Sequence, residues 1–185
     1  DLDIVTPEQF QPEHPPRRAD GSIATWEGCQ TFSGSWGYHR DEATWKSDKQ
    51  CVEMLIRHVA RGGNLIMNVG PTARGYFDHR AMERLDAFAK WMDRNSRSIY
   101  GCTMAPEEFK EADGTRYTWN PKTKRLYVHV LDWPFQRLHL PNLAGKVAYA
   151  QFLHDGSELK IKGSFIYTAV VKPETEIPVI EVFLK

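Results

Sequence analysis

Gly62-Gly63-Asn64-Leu65-Ile66-Met67-Asn68-Val69-Gly70-Pro71 is the stretch that decides the fold. Two glycines stop whatever precedes them, a short apolar run follows, and Gly-Pro closes it, so Leu65 to Val69 reads as a buried strand. Upstream, between about Ser47 and Arg61, Val52, Leu55, Ile56 and Val59 fall at i, i+3, i+4 and i+7, which predicts an amphipathic helix ended by the glycine pair. Downstream, Asp78 is a candidate N-cap for a second helix carrying Met82, Leu85, Phe88, Ala89 and Met92 on one face to about Arg94. Further upstream, Thr25 to Phe32 can form a short strand ending in Ser33-Gly34-Ser35. Strand, helix, strand, helix is an α/β arrangement around a parallel sheet. The first 25 residues, with Pro7, Pro12, Pro15 and Pro16, fit a loop after a short strand.

After Gly101 the period changes to two. Arg116 to Trp119, Leu126 to Leu131, Leu138 to Leu140, Val147 to Leu153, Leu159 to Ile161, Ile166 to Val171 and Val179 to Leu184 read as strands. Turns at Asp113-Gly114, Asn120-Pro121 and Asp155-Gly156 separate several of them. Closely spaced short strands of this kind predict an antiparallel β-sandwich. The fold class is therefore α/β followed by all-β, with the boundary near residues 101–106.

Composition narrows the function. The 24 basic and 24 acidic side chains of this 185-residue chain cancel, leaving no global field to hold nucleic acid or to recruit the chain to an anionic membrane. No apolar run approaches the roughly 18 residues that span a bilayer. Cys29, Cys51 and Cys102 are widely spaced without a CxxC pair and read as free thiols. The seven histidines lack ligand spacing, so no metal is assigned. The chain begins at Asp1 without an initiator Met, as it would after removal of a leader or inside a longer parent. No compartment is legible.

The N-terminal third concentrates carboxylates and aromatics: Asp1, Asp3, Glu8, Trp26, Glu27, Trp36 and Tyr38. Two carboxyl groups flanking an aromatic suit glycoside hydrolysis, in which one protonates the leaving oxygen and the other attacks or activates water. A solvated, charged loop has the same composition.

An ordered string of motifs is more specific. Thr6-Pro7-Glu8-Gln9, Trp26-Glu27-Gly28-Cys29, Ser35-Trp36-Gly37-Tyr38, Trp45-Lys46-Ser47, the Gly62 to Pro71 stretch and Ile99-Tyr100-Gly101 follow one another in order. The sequence closely resembles the C-terminal half of α-L-fucosidases of glycoside hydrolase family 29, over residues 1 to about 153. The resemblance implies a partial (β/α)8-like barrel in residues 1–103 and a C-terminal antiparallel β-sandwich in residues 104–185. It implies release of terminal α-linked fucose with retention, an Asp nucleophile, a separate acid/base carboxylate and no cofactor.

By that resemblance, Glu8 matches the acid/base Glu, and Trp36 matches an aromatic wall beside the C6 methyl group of fucose. Trp26, Glu27 and Tyr38 fall near the substrate, with core packing an equal reading for Trp26. Asn68, near the C-terminal end of a barrel strand, is expected to make a structural hydrogen bond. The nucleophile belongs to earlier barrel strands that this chain does not contain, so a homo-oligomer or a complementary N-terminal half is expected to complete the site. If the chain acted alone, its second carboxylate would come from Asp1, Asp3, Glu27 or Asp41. The competing reading is a carbohydrate-binding or structural module without turnover.

Overall fold

Ser47 and Gln50 start the first helix. The Ser47 hydroxyl accepts from the Gln50 amide at 3.2 Å, and the Gln50 side chain accepts from the Ser47 amide at 2.8 Å, a reciprocal capping box. In this computed structural model, which describes residues 3–185, helix α1 runs Asp48–Val59 and buries Cys51, Val52, Met54, Ile56, His58 and Val59. The chain then turns through Gly62 at φ +73°, where its amide reaches Val59 O at 2.9 Å. That left-handed backbone is the reason a glycine is needed there.

Strand β1 (Glu27–Thr31) and strand β2 (Asn64–Asn68) pair in parallel, Glu27 opposite Asn64 through Thr31 opposite Asn68. A third parallel piece lies on the other side of β1, where Val5 bridges Trp26 and Glu8 bridges Cys29. Val5 and Pro7 accept from the amides of Glu27 and Cys29 at 3.0 and 2.9 Å. Pro7 has no N–H to return, so the ladder is interrupted between the two bridges. Helix α2 spans His79–Asn95, with Asp78 Oδ1 accepting from the Arg80 amide at 2.8 Å.

Side chains alternate across a strand, so Trp26, Gly28 and Gln30 share one face of β1 while Glu27, Cys29 and Thr31 share the other. The first face is buried against α1. Gly28 sits so close to His58 that a Cβ there would lie 2.0 Å from Nε2, and Gly63 meets the Trp26 ring in the same way at 2.2 Å. Gly28 therefore lets helix and sheet approach, and Gly63 lets the turn after α1 seat on the Trp26 ring. On the opposite face, Ile66 remains 43% exposed. This corrects the reading of β2 as a buried strand, because Ile66 stands on the face away from α1, where the middle of β2 is open.

The apolar face expected on α2 also shifts. Ala81 and Trp91 are buried, Leu85, Phe88 and Met92 are half-buried, and Met82 and Ala89 are exposed. The buried stripe is rotated toward Ala81, and Phe88 packs edge-on against Phe32 with ring centroids 6.0 Å apart.

The chain forms two compact units, the first ending at Met92 and the second running from Asp93 to Lys185. In the second, β3 (Thr103–Met104), β4 (Thr115–Asn120), β5 (Arg125–Val130), β10 (Val179–Leu184) and β7 (Val147–Phe152) form one antiparallel sheet in the order β3-β4-β5-β10-β7. Strands β6 (Arg137–His139), β9 (Phe165–Tyr167) and β8 (Ile161–Lys162) form a second, in the order β6-β9-β8. Tyr117, Leu126, Val128, Leu138, Leu140, Phe152, Ile166 and Ile180 build the core from both sheets, as in a β-sandwich. The sequence reading placed the strands well but missed β3, whose two residues are too few to show a period. It also took Leu159 into β8, whereas Leu159 pairs its amide with Ala150 O at 2.9 Å and joins the core.

Candidate active site

Parallel strands gather their C-terminal ends at one edge, and in barrels that edge carries the chemistry. Glu8 ends the first strand segment. Its bridge partner is Cys29, so the two side chains share a sheet face with Glu27 and not with the helix-covered Trp26. Gln9 follows at φ +50°, turning the chain away directly after Glu8, and Glu8 is exposed. Glu27 lies on the same face, one strand across and two residues back. From the strand spacing and rise, the Glu8 and Glu27 backbones are about 8 Å apart.

The end of β1 leads into the loop of residues 32–46, which carries Trp36 and Tyr38, 40% and 42% exposed. The end of β2 is Asn68, whose Nδ2 donates to Trp36 O at 2.5 Å. Glu8, Trp36 and Asn68 therefore stand at the ends of three adjacent parallel strands or in the loop following one.

The loop itself is tied down by charge. Lys46 Nζ donates to Thr31 O at 2.7 Å and Ser33 O at 3.1 Å, and burial draws its pKa below the usual lysine range. The Arg80 and Arg84 guanidinium groups lie 5.0 and 5.2 Å from the Trp45 ring centre. Arg80 also donates to Glu42 O and Arg40 O at 2.9 and 3.1 Å, while Asp78, held at about 2 by its hydrogen bonds with Arg80, fixes the guanidinium. Hydrogen bonds from Ser35 and Thr44 hold the Glu42 carboxyl at about 2. At neutral pH Glu42 is an ionised acceptor and has no proton to donate.

The loop encloses a cavity of about 20 Å³ lined by Ser33, Ser35, Tyr38, Glu42, Trp45 and Asn68. That volume holds one water and is far too small for a sugar ring. Of the residues expected at the site, Trp26 takes the core-packing alternative. It is 1% exposed, with its Nε1 donating to Arg61 O at 3.2 Å and its ring 5.4 Å from that of His58. Asp41 is exposed and pairs with Arg40 at 3.2 Å, and Asp3 is exposed. Asp1 lies outside the described residues. Among the described residues no cluster of His, Cys, Asp and Glu has the form of a metal site. Sequence reasoning missed the Lys46, Arg80 and Arg84 tethers, whose contacts with the loop reach up to 40 residues along the chain. Trp45-Lys46-Ser47 was their only trace in the sequence.

Comparison with known proteins gives this geometry a context. The profile of the family described as Alpha-L-fucosidase matches residues 2–97, just over half the chain. Human plasma α-L-fucosidase is 34% identical over 113 residues, which are 59% of this chain and 24% of that protein. The α-L-fucosidase isoenzyme 1 of Paenibacillus thiaminolyticus superposes with a TM-score of 0.91 at 32% identity, over 99% of this chain and 45% of its own. A glycoside hydrolase family 29 α-L-fucosidase of Bacteroides thetaiotaomicron, trapped as a covalent intermediate with 2-fluoro-fucosyl fluoride, gives 0.81 at 25% identity over 97% and 43%. The chain thus spans about a quarter of the length of the curated relatives it matches. The two-unit architecture, the parallel strand ends and the profile match together make the chain a member of the α-L-fucosidase family.

Proposed function

We propose that this chain is the acid/base-bearing part of a retaining α-L-fucosidase, acting on terminal α-L-fucose of fucosylated oligosaccharides or glycoconjugates. The supporting observation is the placement of Glu8: exposed, at the C-terminal end of a parallel strand segment, on the sheet face opposite α1. In this reading the Glu8 carboxyl gives its proton to the glycosidic oxygen as the bond to fucose C1 breaks. A carboxylate from outside this chain attacks C1 and forms a glycosyl ester. The Glu8 carboxylate then takes a proton from water, whose oxygen attacks C1, releasing fucose and regenerating both carboxyl groups. The trapped covalent intermediate of the Bacteroides relative supports a two-step course.

Glu27 is a poor second carboxylate. Its backbone stands about 8 Å from that of Glu8, and both project from one strand face, whereas the two groups of a glycosidase flank the bond from opposite sides. The nucleophile is therefore assigned to an N-terminal part of the barrel or to another copy of the chain. Trp36 and Tyr38, exposed in the loop after β1, form the apolar wall. A ring there favours fucose over a sugar bearing a 6-hydroxyl by about 1–3 kcal/mol.

The test is Glu8→Gln, assayed on aryl α-L-fucosides with good and poor leaving groups, with fractions sized by light scattering. Turnover should fall by about 10²–10⁴, most steeply for the poor leaving group, while size and fold are kept. Unchanged turnover and pH profile would remove Glu8 from the chemistry. Fucose binding without turnover in every assembly state would instead make the chain a binding module.

A further inference from the structure

The Trp36 wall stands on a loop, and a loop alone does not fix a ring to the fraction of an ångström that sugar discrimination requires. Lys46 holds Ser33 O, and Thr44 Oγ1 accepts from the Gly34 amide at 2.8 Å. Those tethers secure the start of the loop. Asn68 acts on Trp36 itself, its Nδ2 donating to the Trp36 carbonyl at 2.5 Å across 32 residues of sequence. Asn68 is also the last residue of β2, paired with Thr31 at the last register position of β1, so the donor is mounted on the end of a hydrogen-bonded strand.

Two residues on, the backbone approaches the same loop from below. A Cβ at Gly70 would lie 2.4 Å from Tyr38 N and 2.5 Å from Gly37 C. Glycine is the only residue that admits this contact without moving the loop. Asn68 pulls on the Trp36 peptide while Gly70 lets the Gly37-Tyr38 peptide settle against β2.

We infer that Asn68, with Gly70, is a positioning residue that sets the height of the Trp36 wall and hence the preference for a 6-deoxy sugar. This deepens the reading of Trp36 as a substrate wall and rests on it. Asn68 touches no reacting atom, so its loss acts on binding and selectivity and not on bond cleavage.

The experiment compares Asn68→Asp, Trp36→Ala and the double variant in the complete enzyme. It reads KM and kcat on 4-nitrophenyl α-L-fucoside, inhibition by L-fucose against L-galactose, and Tm. Asn68→Asp keeps the side-chain shape and removes the donor. It should raise KM and weaken L-fucose by about fivefold, the worth of one hydrogen bond, with kcat within about twofold. The preference for L-fucose over L-galactose should fall toward that of Trp36→Ala, and the double variant should be no worse than Trp36→Ala alone. Gly70→Ala, which displaces the same loop from the backbone side, should reproduce the selectivity loss and serves if Asn68→Asp does not fold. If Trp36→Ala weakens fucose but Asn68→Asp only lowers Tm, or if the two losses add, the positioning role is wrong while the wall stands. If Trp36→Ala leaves fucose affinity unchanged, the wall reading fails and the inference falls with it.

Discussion

His129 makes the sandwich unit acid-sensitive in a way that can be worked out from one hydrogen bond. The residue is fully buried on β5, and its Nε2 lies 2.9 Å from Thr118 Oγ1. That hydroxyl spends its single proton on Ser98 O at 2.6 Å, so His129 Nε2 must be the donor and the ring is the neutral Nε2–H tautomer. Burial pushes its pKa down to about 3, against about 6.5 in an unfolded chain. The unfolded state therefore takes up the proton first as pH falls. Stability is full above about pH 6.5 and is lost progressively below it, down to about 3. At pH 5.0 the loss from this group alone is about 2 kcal/mol relative to pH 7.5, taking about 1.4 kcal/mol per pH unit. Carboxylates such as Glu42 and Asp78, held at about 2, add to acid destabilisation only below about pH 4.5, so the window from 6.5 to 5 isolates histidine. Urea unfolding at the two pH values should show this loss in the wild type, and His129→Gln, which can still donate to Thr118, should reduce it by about 2 kcal/mol. The same pH dependence in both proteins, or a His129 ring that NMR shows protonated in the folded state at pH 5.0, would refute the reasoning.

Two further predictions concern packing. Gly28→Ala puts a methyl group 2.0 Å from His58 Nε2 in the helix-to-sheet contact and should cost at least about 1–3 kcal/mol, measured by thermal or urea unfolding. His58→Ala on that background should recover part of the loss, and additive losses would show that the contact is not the cause. Glu181, 4% exposed, accepts from Gln151, Arg97 and Tyr127 at 2.8, 3.1 and 3.3 Å. Glu181→Ala strands donors that it satisfied and should destabilise the second unit by about 1–3 kcal/mol, whereas a variant as stable as the wild type would mark the network as dispensable.

How much of this was legible in the sequence depends on the range of the interaction. Ser47 and Gln50 are three residues apart, and the period of Val52, Ile56 and Val59 is local, so α1 was readable to within two residues of its ends. The sandwich strands announced themselves by alternation and by turns such as Asn120-Pro121, where Asn120 Oδ1 accepts from the Lys122 and Thr123 amides at 3.0 and 3.1 Å. Glu8 and Trp36 were singled out through motif order, and their placement, Glu8 at a strand end and Trp36 in the loop after β1, follows from pairing that no window reveals. The two readings of Trp26 could not be separated in the sequence because its burial depends on Gly63 and Arg61, some 35 residues away. Met82 and Ala89 looked like a helix core because periodicity gives the width of an apolar stripe better than its rotation. The arginine half of the clamp of Arg80 and Arg84 on Trp45 left no trace in the sequence beyond Trp45 itself, since an arginine that folds over a ring reads the same as one that points to water.

The sheet face that carries Glu8 and Glu27 also carries Ile66, 43% exposed, and the two facts are connected. A parallel strand gains most of its stability when both faces are covered, and one face here is covered by α1, which closes on Gly28 through His58. In the function proposed above, the part that closes over the other face buries Ile66 and, in the same movement, excludes water around Glu8 and brings up the second carboxylate. Burying the exposed part of one isoleucine contributes only on the order of 1 kcal/mol, so Ile66 alone does not hold such a closure. On the proposed function it couples the steps, since an arrangement that leaves Ile66 wet also leaves Glu8 facing solvent. On that proposal, polar substitution of Ile66 should lower activity through assembly, whereas substitution of Glu8 should lower it at full assembly, and that difference separates the scaffold from the chemistry on a single sheet face.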